Sequence, residues 1–337
     1  MGPTDFAEYL TDFLTKYLIA QKNVSKNTIL SYRDTFKLLL RYCQQIKNIV
    51  PEKITMSILS SDLILDFLTW LEADRGCGAS TRNQRLAAIH SFFRYVQSEE
   101  PAGLFHFQKV IAIPQKKSQK TVVEYLTPNA MMILLEQPDK KLERGRRDLT
   151  LLSVLYDTGA RVQELIDLRI VDISIEHPTV LTLTGKGNKV RRVPVMKNTA
   201  ALLRSYLAEH DLNKPWKNQY PLFTNSQHEK LTKEGVAHII RKYADAARKI
   251  SVQIPVSVRP HMFRHSKAMH LLQAGVNLIY IRDFLGHVDI KTTEIYARAD
   301  TETKRIAIEN AYPDLVDGNL PDWSKDEVLL SWLSEMK

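Results

Sequence analysis

Four short segments of the sequence carry side chains suited to chemistry on a phosphate. They are TGARVQEL with Arg161, GKGNKVRRVP with Lys186, RPHMFRHS with His261 and Arg264, and LGHVDIKTTEIYA with His287 and Tyr296. Breaking a phosphodiester takes cationic donors on the non-bridging oxygens, a nucleophile in line and an acid for the leaving oxygen. Arginine suits the first task, because its planar fork gives two hydrogen bonds to one phosphate and stays protonated. A phenol with a pKa near 10 is a poor nucleophile but a good reversible leaving group, which suits rejoining. A lysine on a mobile hairpin can reach a leaving oxygen, and desolvation loosens its proton.

Singly, each residue has a plainer reading. Arg161 can pair with Glu164 on a helix surface, Lys186 can be an ordinary hairpin-tip lysine, and Tyr296 can be a core aromatic with its hydroxyl satisfied. His261 and His265 are four apart, as zinc ligands are on a helix, but Met262 stands where a metalloprotease needs Glu. No clustered carboxylate or cysteine offers a third ligand, so no metal site is expected.

Taken in order, the set is specific. Arginine, a lysine in a β-hairpin, His-x-x-Arg, then Gly-His with a tyrosine nine residues further on resembles the tyrosine recombinase (phage integrase) family, of the Xer-like or transposon-borne kind. The flanks TGxRxxEL, GKGNK, HxxRHS and LGH carry the same resemblance, which covers nearly the whole chain. It implies that Arg161 and Arg264 clamp the phosphate, with His287 donating a further hydrogen bond. It implies that Tyr296 attacks to form a 3′-phosphotyrosine, Lys186 protonates the 5′ oxygen and His261 assists proton transfer from the tyrosine. Glu164 either holds Arg161 or a histidine, or only stabilises its helix. No cofactor is implied.

These residues need elements to position them. The expected fold is mainly α with a small β-sheet: an N-terminal helical core-binding bundle, then a mixed α/β catalytic domain. Apolar residues at spacings of three and four mark about four helices in the first hundred residues, including Ile29, Tyr32, Phe36, Leu39, Leu40 and Cys43 behind an N-cap at Ser25. From Glu99 to Thr121 the pattern breaks at Pro101, Gly103, Pro114 and QKKSQK. The boundaries are set at 1–110 for the bundle, 111–124 for a basic linker, 125–312 for the catalytic domain and 313–337 for a tail. Thr127-Pro128 starts a helix, and ERGRRD opens another running to about Tyr156. TVLTLT and VRRVPV form a hairpin, with Gly185, Gly187 and Asn188 at its turn. In the tail, Val328, Leu329, Trp332 and Leu333 make an apolar face that docks either on a neighbouring protomer or on its own domain.

The chain has 337 residues and a formal net charge of +9, which favours a polyanionic partner. Thr81, Arg82, Gln84 and Arg85 open a helix that the resemblance brings to the DNA major groove; a solvated face is the alternative. Lys116, Lys117, Lys189, Arg191 and Lys242 are further candidate phosphate contacts. The implied partner is a double-stranded recombination site, with a dimer on one site and a tetramer on two. No apolar run reaches membrane-span length and no signal peptide opens the chain, so a cytoplasmic location is expected. Neither Cys43 nor Cys77 has metal or redox spacing. A type IB topoisomerase or a silent DNA-binding factor with the same fold remain alternatives. The helical bundle and the Gly-His favour recombinase over topoisomerase. The intact set of six residues speaks against a silent factor.

Overall fold

A computed structural model describes residues 2–117, 123–185, 187–287 and 289–300, with Ser331 and Glu335 beyond them, and of Arg298 only the backbone. Lys186, Lys120 and the apolar face of the tail therefore lie outside the described residues. The chain divides into two compact units, residues 1–121 and 122–337.

The first unit is helical. α1 (Asp5–Asp12) runs into a π-helical stretch, Phe13–Gln21, followed by α2 (Lys26–Gln45), α3 (Ser61–Ala73), α4 (Ala79–Glu99) and α5 (Leu104–Ile111). Ser25 caps α2 as its sequence position predicts, its hydroxyl accepting the Thr28 N–H. Aromatic side chains fill the interior: Phe92 packs on Phe36 and Phe13 with ring centroids 5.0 and 5.4 Å apart. α5 was not expected. Its Phe107 and Val110 are buried, so the segment after Pro101 and Gly103 returns to the core before any linker begins.

The second unit begins with α6 (Pro128–Leu135), which Thr127 caps by accepting the Ala130 N–H. α7 (Glu143–Thr158) follows and is buried almost all round from Asp148 onward, the pattern of a central helix. After the short α8 (Val162–Asp167) come three antiparallel strands, β1 (Ile173–Ser174), β2 (Val180–Thr184) and β3 (Val190–Pro194), in the order β1-β2-β3. The expected hairpin is β2–β3, with Thr184 opposite Val190 and positive φ at Gly187 and Asn188. Leu181, Leu183 and Val193 face the core. Then come α9 (Lys197–Glu209), α10 (Lys233–Arg248), α11 (Pro260–Gln273), α12 (Leu278–Leu285) and α13 (Lys291–Ala299). Among the described residues no helix is long and apolar enough to cross a membrane, and both cysteines are free thiols.

Candidate active site

Two helix ends and a hairpin assemble the site. α7 and α12 both stop at a glycine in the left-handed region, Gly159 with φ +57° and Gly286 with φ +66°. A side chain there would be strained, and glycine adopts this conformation freely. Arg161 follows the first cap by two residues and His287 follows the second directly. Arg264 and His265 come from α11, and Tyr296 from α13.

Arg264 is the buried centre of the group, only 3% exposed. One of its Nη atoms donates to the Gly159 carbonyl at 2.7 Å and the other to the Leu285 carbonyl at 2.6 Å. It thus ties both helix ends together. Burial, then the nearby guanidiniums of Arg161 and Arg191, push its pKa down to about 9, so it stays cationic at neutral pH. Of the five N–H donors a guanidinium carries, three remain after these two bonds.

Glu164 is the second hub. Its carboxylate accepts the Arg161 backbone N–H and Nη1, both at 2.8 Å, and takes a bidentate pair from Arg191 at 3.0 and 2.7 Å. The backbone bond is the glutamate half of a capping box on α8. Burial alone would raise the Glu164 carboxyl, but hydrogen bonds from Arg191 and the Arg161 backbone, together with the Arg191 charge, hold it at about 2. Its folded pKa is depressed below the ordinary value near 4.5, so the stability it contributes is complete above that value. That stability is lost as pH falls through about 2. The difference amounts to roughly 3 kcal/mol. Acid unfolding followed by circular dichroism should show it: Glu164→Gln loses stability at pH 7 and flattens the loss between about pH 5 and pH 2. An unchanged acid transition would remove Glu164 from this role.

Arg191, read from the sequence as a candidate phosphate contact, is turned toward the site. It shares the inward face of β3 with Val193, two residues on, and its side chain is 11% exposed. It donates to Glu164 and to the Phe284 carbonyl. Arg82, also a candidate DNA contact, is 5% exposed and lies beside Glu72 and Asn83. Arg85 donates to the Ser31 carbonyl and the Thr35 hydroxyl, and Gln84 to the Ser31 hydroxyl. Thr81 is half-buried. Lys116 pairs with Glu72. Lys117 and Lys189 are exposed, and Lys242 sits over the Tyr243 ring.

Tyr296 is 1% exposed, packed with Ala268, Met269, Ile281 and Leu285. Its hydroxyl lies 2.9 Å from Nδ1 of His265. Burial raises its pKa, and the charges of Arg264 and Arg161 oppose that rise. The His287 ring lies nearly parallel to the Tyr296 ring, with centroids 6.4 Å apart. Burial, then Arg264, Arg161 and Arg191, press the His287 pKa down to about 4, so it is neutral at pH 7. Its Nδ1 is 2.8 Å from the buried Thr293 hydroxyl. His261 is exposed, its pKa lowered by partial desolvation and by the same two arginines, and its ring centroid is 6.4 Å from that of His265. The histidine in contact with the tyrosine hydroxyl is His265. The sequence offered a signal for this residue, four positions after His261 on one helix face, but only as a metal-ligand spacing.

Arg161, Gly185, Lys189, Val190, Arg191, Asp283, Gly286 and His287 line a cavity of about 280 Å³. The hairpin flanks of Lys186 are therefore on its wall, although Lys186 itself is outside the described residues. The site is a concave pocket lined by Arg161 and Arg191, with the buried Tyr296 stacked against its His287 wall.

Comparison with known proteins agrees. Residues 124–303 match the phage integrase family, and residues 11–100 match the phage integrase N-terminal SAM-like domain. The chain belongs to the phage integrase family of tyrosine recombinases. It is 35% identical to an integrase/recombinase of Sinorhizobium fredii over 98% of both chains. It is 29% identical to the tyrosine recombinase XerD of Listeria monocytogenes, over 90% of this chain and 97% of that one. Among solved structures, the Tn1549 transposon integrase in complex with transposon right end DNA shares the fold, with a TM-score of 0.68 and 17% identity over 89% of this chain and 98% of that one. This recombinase therefore has the expected overall plan, a mainly helical chain with a small sheet.

Proposed function

We propose that the chain breaks and rejoins double-stranded DNA at specific sites through Tyr296, in integration, excision or resolution for a mobile element. The observation that carries this reading is the gathering around the buried Tyr296 side chain of two guanidinium charges and two histidine rings, one of which bonds its hydroxyl. Arg161 and Arg264 both act on the Tyr296 phenol and on the His287 ring, and His265 bonds the hydroxyl directly.

The chemistry follows from these groups. The scissile phosphate enters the cavity, and Arg161 and Arg264 donate to its non-bridging oxygens. His287 Nδ1 lies 2.8 Å from the Thr293 hydroxyl; in the tautomer that accepts from this hydroxyl, its Nε2–H is left as a further donor to the phosphate. The Tyr296 oxygen attacks phosphorus, an O–P bond forms at the 3′ side and the bond to the 5′ oxygen breaks. Lys186 supplies the proton to that oxygen. The reverse sequence, with a 5′ hydroxyl attacking the phosphotyrosine, rejoins the strand. The guanidiniums provide the charge neutralisation this transfer needs, so a chelator leaves it intact.

The N-terminal unit, including the exposed Gln84 and Lys117, contacts the DNA backbone. A dimer occupies one site and a tetramer joins two. The test is to trap the protein covalently on DNA in the presence of a chelator, then recover and sequence that DNA. A single recurring site with a fixed cut position supports the reading. Adducts scattered without sequence preference would point to a relaxing enzyme.

A further inference from the structure

The proton of an attacking phenol must go to a neighbour. Tyr296 is buried and its pKa is raised, so in the resting protein its oxygen carries hydrogen. A phenol has one O–H donor, and leaving it unpaired in an interior costs about 1–3 kcal/mol. Among the described residues this oxygen hydrogen-bonds Nδ1 of His265, at 2.9 Å. A hydrogen bond from the phenol requires that Nδ1 be the unprotonated nitrogen.

We propose that His265 is a catalytic residue of the cleavage reaction: its Nδ1 accepts the Tyr296 proton as the phenolic oxygen attacks. The inference rests on Tyr296 being the nucleophile. In cleavage the O–H bond of Tyr296 breaks, its oxygen bonds to phosphorus and the proton moves to Nδ1, giving an imidazolium. The leaving 5′ oxygen takes its proton from the separate acid. On rejoining, His265 returns the proton to Tyr296.

The surroundings suit an acceptor. The groups that face His265 are His261 and Arg264 from its own helix, His287 from the turn after α12 and Tyr296 from α13. Burial, then His261 and Arg264, keep the ring neutral across ordinary pH, with a pKa of about 4. The negative charge of a bound phosphodiester offsets the two cations beside it when the proton arrives. His261, exposed at the start of α11, is one ring further from the phenol.

The decisive comparison is single-turnover cleavage of a nicked substrate from pH 6 to pH 9 by the wild-type protein, His265→Asn and His261→Asn. Asparagine keeps a polar atom near the Nδ1 position but cannot take the proton. His265→Asn should bind DNA normally and cleave about 10²- to 10⁴-fold more slowly. Its rate should climb about tenfold per pH unit, because hydroxide must then remove the proton, while the wild-type profile and that of His261→Asn stay flat. Added imidazole should restore part of the rate of His265→Ala, which a merely structural role would not allow. Equal rates for His265→Asn and wild type, or the pH slope appearing in His261→Asn instead, would overturn the proposal. An independent reading comes from ¹⁵N NMR of the histidine-labelled wild-type protein, which needs no variant and no cleavage. His265 should show an unprotonated Nδ1 at pH 7, and a protonated one refutes the assignment. Loss of the adduct in Tyr296→Phe reports separately on the nucleophile.

Discussion

Tyr296→Phe should fold, bind DNA with wild-type affinity and form no covalent adduct. The substitution removes one oxygen from a buried ring and one hydrogen bond to His265. The net stability change of losing such a bond is about 1 kcal/mol, small enough to keep the fold. The apolar packing against Ala268, Met269, Ile281 and Leu285 stays in place. The chemical change is total, since phenylalanine has no atom to attack phosphorus. Gel-shift and thermal-melt measurements beside an adduct assay separate the two effects. A variant that loses binding or unfolds would mean that the tyrosine serves the core and not the reaction.

Arg264 carries the second large effect. Arg264→Ala removes a phosphate donor and leaves the Gly159 and Leu285 carbonyls without partners. Loss of one pre-positioned donor costs about 10²- to 10³-fold in rate, and the unpaired carbonyls cost roughly 2–5 kcal/mol of stability. The variant thus tests two links at once, so Arg264→Lys is its necessary companion. Lysine keeps the charge but cannot span two carbonyls while also presenting a fork to a phosphate. Its cleavage rate should fall at least about a hundredfold, with a smaller loss of melting temperature than in the alanine variant. Near wild-type cleavage by Arg264→Lys would show that charge alone is required and that the geometry of the two helix ends is incidental.

The spacing of short polar motifs carried the family and the members of the site, because each motif sits where a helix ends or a hairpin turns. Gly159 and Gly286 are visible in sequence as punctuation, and the structure shows why: both caps end at the positions from which Arg161 and His287 enter the site. The turn of GKGNK was legible from turn chemistry alone. Other features depend on long-range pairing and were hidden. Arg191 reads as a candidate phosphate contact beside the hairpin until β3 is given its register, when parity with Val193 turns it inward to Glu164. Arg82 and Arg85 read as a basic DNA-facing start of α4, but they are held by Glu72, Ser31 and Thr35, residues far away in sequence. α5 lies behind a proline and a glycine that signal a linker, and only packing of Phe107 and Val110 reveals it. β1 is two residues long, too short for any alternation to show. His265 fell within the motif but drew notice only as a possible ligand, since its partner is 31 residues away.

The central claim is that Tyr296 becomes joined to DNA because His265 bonds its hydroxyl and the charges of Arg264 and Arg161 and the ring of His287 lie about its side chain. The most direct measurement is to form the adduct on a nicked duplex with a chelator present, digest protein and DNA, and locate the residual nucleotide by mass spectrometry. The account predicts a 3′-linked nucleotide on the oxygen of Tyr296 and an unmodified protein for Tyr296→Phe. A nucleotide on any other residue, or an adduct that persists in Tyr296→Phe, would contradict it.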